Sequence, residues 1–173
     1  MTLTRALLVG LLALCVLPAV AAQGLRAVDV VKVGDASSEQ EHDFAGAGLT
    51  GGVIDNRICR QTTDWLSYSM AVYEDTEVTL VCTFRGTEGR RLTFDLLVEG
   101  RKIVTHRFEA PSAAPRTIEF RIPFSITKGL TSIHVMLRAV DGLTPGLLEL
   151  RTVQEHLERS AGEAPGPTGA AFW

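Results

Sequence analysis

Between residues 65 and 108 apolar and polar positions alternate with a period of two through four runs: WLSYSMAV, EVTLVCTFR, RLTFDLLV and RKIVTHRF. Such alternation marks strands with one buried face, and the short polar breaks between runs mark antiparallel connections. Leu66, Tyr68, Met70 and Val72 form one face of the first run, and Trp65, Ser67 and Ser69 form the other. Val78, Leu80, Cys82 and Phe84, then Leu92, Phe94, Leu96 and Val98, are the inward sets of the next two. Glu99-Gly100 predicts a tight turn, because glycine takes positive φ without a Cβ clash. Residues 25–33, 117–122, 131–140 and 147–153 predict further strands. From 36 to 63 the pattern lapses, and that stretch reads as one long loop of the kind that carries function. About eight strands without an amphipathic helix bury their apolar faces only as two packed sheets, an all-β, jelly-roll antiparallel β-sandwich.

The ends of the chain read differently. Arg5, the apolar run 6–16, Pro18 and the small residues Ala19 to Ala22 predict a cleaved signal peptide over 1–22, and so a secreted or periplasmic protein. The sandwich then occupies 23–155, and the Gly/Pro/Ala-rich segment 156–173 reads as a disordered tail. The net charge of −3 supplies no basic footprint for nucleic acid, and after signal cleavage no segment spans a membrane. Cys15 leaves with the signal, so Cys59 and Cys82 remain as a possible disulfide or as two unpaired thiols.

Motifs of catalysis are few. Gly46-Ala47-Gly48-Leu49-Thr50-Gly51 matches G-x-G-x-x-G but lacks the preceding strand and following helix that a dinucleotide site needs. His42, His106, His134 and His156 form no zinc-ligand spacing, and there is no G-x-S-x-G elbow. Glu39, Glu41, Asp43, Asp55 and Asp64 are carboxylates of the kind a glycosidase pairs, although solvated loop charges are the commoner explanation of such residues. Trp65 lies out of phase with the core, either as a stacking platform for a sugar ring or as a cover over the end of the sandwich.

Several of these segments together resemble the substrate-binding β-sandwich domain of bacterial β-L-arabinofuranosidases of glycoside hydrolase families 146 and 127. The resemblance rests on Ser38, Glu39 and His42 (S-E-x-x-H) and on Thr50-Gly51. It continues through Arg57, Arg60, Trp65, Ser67 and Tyr68, then Leu80 to Thr83 with Gly86, then the hairpin from Phe94 to Gly100. Cys59, Leu66 and Arg85 depart from it where the family has aromatic residues. The resemblance implies a galactose-binding-like sandwich and a non-catalytic, carbohydrate-binding role, because the family's catalytic barrel has no counterpart here. Its implied partner is a glycan, arabinose-containing by analogy, contacted by Glu39, His42, Arg57, Arg60, Asp64 and Trp65. Glu39, His42 and Arg60 are equally suited to tying the long loop down by polar contacts. No cofactor is implied, apart from a structural calcium of the sort similar sandwiches hold, with Asp29, Asp35, Glu39 or Glu149 as oxygen donors. The alternatives are a structural or protein-interaction module of the cell envelope and, third, a glycoside hydrolase.

Overall fold

The computed structural model describes residues 25–54, 56–87, 91–109 and 112–155. The expected signal peptide and C-terminal tail lie outside them, as does Asp55.

Nine strands form: β1 (Leu25–Lys32), β2 (Ala45–Ile54), β3 (Arg57–Ala71), β4 (Val78–Phe84), β5 (Thr93–Val98), β6 (Arg101–Arg107), β7 (Arg116–Ile122), β8 (Ser132–Ala139) and β9 (Leu147–Glu155). All their pairings are antiparallel, in the order β6-β5-β8-β3-β9-β4-β7, with β1 added to β9 and β2 to β3. β3 joins β9 at a single pair, Arg60 with Leu147, so the sheet divides there into two arms. The arms lie face to face. Phe84 of β4 meets Phe94 of β5 at 5.2 Å between ring centroids, and Phe94 meets Phe120 of β7 edge-on at 6.2 Å, although β5 pairs with neither strand. One core between the arms holds Leu66, Tyr68, Met70, Leu80, Cys82, Phe84, Phe94, Leu96 and Leu137, all nearly fully buried. This is the all-β sandwich that the alternation predicts, with the inward faces as read. The Glu99-Gly100 turn also forms, both residues at positive φ (50° and 70°).

The stretch 36–63 departs from expectation. It is no loop. Asp35 caps a short helix, α1 (Ala36–Glu41), by accepting the Ser38 amide at 2.9 Å, and β2 and the first half of β3 then form a long hairpin. β2 reads AGAGLTGGVI and carries no alternation, so only its partner strand reveals it. Trp65 consequently sits in the middle of β3 and not at the start of a strand. A second short helix, α2 (Phe124–Thr127), follows Pro123. Cys59 and Cys82 are both fully buried and both free, so the bridge considered between them does not form. Among the described residues no helix is long and apolar enough to cross a membrane.

Candidate functional site

The six residues singled out in the sequence fall into three places. Glu39 and Arg60, with His42 at the end of the same short helix as Glu39, form one. Arg60 Nε and Nη2 donate to the two Glu39 oxygens at 2.9 and 2.7 Å, a bidentate pair. Glu39 also accepts the Gly34 amide at 2.9 Å and the Tyr68 hydroxyl at 3.3 Å, and is only 5% exposed. Phe44 stacks on Tyr68 at 5.0 Å between ring centroids, and the Arg60 guanidinium lies over the Phe44 ring, 5.3 Å from its centroid. Burial works against the Glu39 charge, but the Arg60 hydrogen bond and the Gly34 amide outweigh it and hold the carboxyl below its usual range. Its oxygens are occupied within the fold and its charge is fixed, which suits neither a general acid nor a free sugar ligand.

His42 belongs to a parallel fastening. Its Nδ1 donates to the Ser38 carbonyl at 2.5 Å and its Nε2 to Asp29 Oδ1 at 3.0 Å. Neither a carbonyl nor a carboxylate donates in return, so the ring satisfies both only as the imidazolium. Burial depresses the His42 pKa, yet the Asp29 and Ser38 contacts overcome it and raise the group above its ordinary value. Asp29 in turn accepts the amides of Ala71 at 2.7 Å and Val30 at 2.8 Å, and is held low despite its burial. Through these contacts α1 is pinned to β1 and β3. Of the carboxylates considered for calcium, Asp29, Asp35 and Glu39 are thus engaged separately, and Glu149 lies 3.8 Å from Arg151. Among the described residues no group of three or more His, Cys, Asp and Glu is gathered as a metal site.

Arg57 forms the second place. It is exposed at the start of β3, beside a shallow groove of about 460 Å³ with Lys32, Asp35, Ile58 and Glu149. It stands eight positions from Trp65 along one strand, roughly 26 Å at the usual rise per residue. The two do not meet in one site.

Asp64 and Trp65 form the third. Between the pairs Ala47–Trp65 and Leu49–Thr62, β3 carries an extra residue opposite Gly48, a β-bulge. Thr144 clamps this bulge: its hydroxyl accepts the Thr62 amide at 3.0 Å, its amide donates to the Thr62 carbonyl at 2.9 Å, and its carbonyl accepts from Gln61 at 3.2 Å. The Thr62 hydroxyl also donates to the Ala47 carbonyl and accepts the Asp64 amide at 2.9 Å. The bulge lies where β3 leaves β9 and takes β8 as its partner, and it leaves Asp64 exposed and Trp65 half-buried on the outer face. From Trp65 the pairings run across the sheet to Arg138 on β8, Asp95 on β5 and Thr105 on β6, one row of cross-strand neighbours on that face. Three inter-strand steps cover about 14 Å. Arg138 donates to Asp95 Oδ2 at 2.8 Å, Thr105 donates to Oδ1 at 2.5 Å, and Lys102 Nζ lies 3.6 Å from Oδ1. The Thr105 and Arg138 hydrogen bonds keep the Asp95 carboxyl below its usual range. Lys102 and Arg138 remain about half exposed, so their other donors face solvent.

Asp95 lies in the Phe94–Gly100 motif without standing out there as a binding residue, and Lys102, Thr105 and Arg138 belong to none of the motifs given above. Their one sequence signal is phase: Asp95 alternates with inward Phe94 and Leu96, as Trp65 does with Leu66. Which strands lie side by side is not written in that phase.

The fold has many relatives among solved structures. A family 35 carbohydrate-binding module from an environmental isolate is 14% identical with a TM-score of 0.53, over 73% of this chain and 96% of that one. The CBM35 of Cellvibrio japonicus Abf62 is 11% identical with a TM-score of 0.51, over 77% and 95%. The ANX1 ectodomain of Arabidopsis thaliana is 10% identical with a TM-score of 0.58, over 78% of this chain and 50% of that one. At these identities the likeness is one of fold. No curated protein matches the chain in sequence. A family model does match, over residues 24–153, and with nearly the whole sandwich covered the chain belongs to that family of unknown function, DUF6805.

Proposed function

We propose that this domain is a non-catalytic carbohydrate-binding module whose glycan lies on the outer face of the sheet, across Trp65, Arg138, Asp95 and Thr105. The row itself carries the reading. An indole face offers a stacking surface for the C–H side of a sugar ring, and the guanidinium, ammonium and hydroxyl groups next to it offer hydrogen bonds to ring hydroxyls at fixed spacing. Asp95 is tied by three neighbours and so orients Arg138 and Lys102 in advance of binding. Fold likeness to family 35 modules supports a sugar-binding role, and the motif resemblance to arabinofuranosidase domains makes arabinose-containing glycans the first to try. Export to the cell surface or periplasm, where such glycans lie, fits the leader-like N-terminus.

The test is glycan-array binding followed by calorimetry on the purified protein and on Trp65→Ala and Arg138→Ala. Binding should fall at least tenfold in either variant while circular dichroism shows an unchanged fold. If no glycan binds the native protein, the module serves protein interaction in the cell envelope instead. Turnover of an aryl arabinofuranoside by the pure chain would return it to the hydrolases.

A further inference from the structure

Four strands lie at the edges of the sheet arms among the described residues: β1, β2, β6 and β7. An edge presents a row of unpaired amides and carbonyls, and natural proteins guard it with charge, proline or distortion. Three of the four follow that rule. β1 carries Arg26, Asp29 and Lys32; β6 carries Arg101, Lys102 and Arg107; β7 carries Arg116, Glu119 and Arg121.

β2 does not. Its ten residues, AGAGLTGGVI, include no charge and no proline, and its only strand partner among the described residues is β3. Past the bulge, 49–54 runs in unbroken register against 57–62. There Leu49 is 41% and Val53 68% exposed, with Thr50 and Gly51 open as well. The hairpin partner adds Ile58, 40% exposed. A regular, uncharged, partly apolar edge is the form an edge takes when something pairs with it.

We infer that β2 pairs with β2 of a second copy of this chain, antiparallel about a two-fold axis through Gly51. Charge selects this occupant. In an isologous contact each residue meets the same strand reversed, so a strand of one sign repels its copy. β6, wholly basic, is barred from self-pairing in this way, whereas β2 brings no charge opposite any other. The pairing sets Gly51 against Gly51 of the copy, Thr50 against Gly52 and Leu49 against Val53, so residues of the same face meet and the crossing stays free of bulky side chains. An axis perpendicular to the strands leaves the same face of both copies on one side. The two Trp65 rows then face the same way, and a long polysaccharide can engage both. That last consequence rests on the glycan reading above; the dimer does not.

Sedimentation velocity of the purified protein over a wide concentration range tests the dimer directly. A monomer–dimer equilibrium is expected, and Leu49→Lys with Val53→Lys should raise the dimer dissociation constant about a hundredfold, since the two lysines then oppose each other across the contact. In parallel, hydrogen exchange on the native protein should protect the β2 amides that face away from β3 at high concentration and release them on dilution, which needs no variant to fold. A monomer at every concentration overturns the proposal, and so does a dimer indifferent to the lysines. Outward β2 amides, those not bonded to β3, protected in a monomer also overturn it, in favour of cover by the chain's own ends. Should the dimer form while no glycan binds, the pairing stands and the sugar reading fails. If both hold, the lysine variant should bind a short oligosaccharide as before and lose affinity only for polymer.

Discussion

His42 and His106 pull the pH dependence of this fold in opposite directions. His42 is favoured as the cation by Asp29 and the Ser38 carbonyl, so its folded pKa exceeds the ordinary 6.5. The stability it contributes is therefore complete below about 6.5 and is lost as pH rises through the raised value. Asp29 bounds the window from below: its folded pKa is depressed from 3.8, so its share is lost as pH falls through that lower value. His106 sits among Phe94, Phe108 and Phe120 at 5.2–5.7 Å between ring centroids, and burial depresses it. Its share is complete above 6.5 and lost on acidification. Melting curves from mildly acidic to mildly alkaline pH should therefore separate the two. His42→Gln should remove the stability lost on going alkaline, and His106→Phe should remove the acid-side loss. At the neighbouring fastening, Glu39→Gln leaves one oxygen to accept from Arg60 and turns an NH2 donor toward the guanidinium in place of the other, and should lower unfolding free energy by about 1.5–3 kcal/mol in urea. These roles were half legible. The residue types at 39, 42 and 60 declared a polar constellation, but whether it faced a ligand or its own backbone depended on which atoms lay within reach.

At the level of elements, legibility follows partnership. β4, β7 and β8 are written in the chain because one face of each is the more buried, and burial stamps a period of two on the sequence. β2 is glycine-rich and lies outside the core, so nothing stamps it. α1 could have been found: Asp35 followed by ASSEQE is an N-cap ahead of helix-compatible residues, although the run is too short to show a period. The junction of β1 and α1 depends on Gly34, at φ +86°, where an added Cβ would stand 2.3 Å from Ile58 Cβ. Gly34→Ala should cost more than about 1 kcal/mol by chemical denaturation, from the backbone conformation and the contact together. A loss of a few tenths would show that the β2–β3 hairpin carrying Ile58 yields easily there.

For the whole molecule, the two arms make the thiols inert. Cys59 and Cys82 are 0% exposed, and burial pushes the Cys82 thiol far up, so its thiolate is scarce. In the native protein neither should react with an alkylating reagent, both should after unfolding, and reductant should leave the melting temperature unchanged. Intact mass before and after reduction checks the same point.

By itself the sequence determined the class of fold, the inward faces and the tight turn at Glu99-Gly100, because each is set by residues close in the chain. Only the tertiary structure decided the rest. It brought Trp65, Arg138, Asp95 and Thr105 into one row, assigned Glu39, His42 and Arg60 to holding the fold, and left β2 as the unguarded edge. The physical reason is common to all three. Cross-strand neighbours come from strands distant in sequence, and a side-chain pattern records which face a residue takes but not which strand lies beside it.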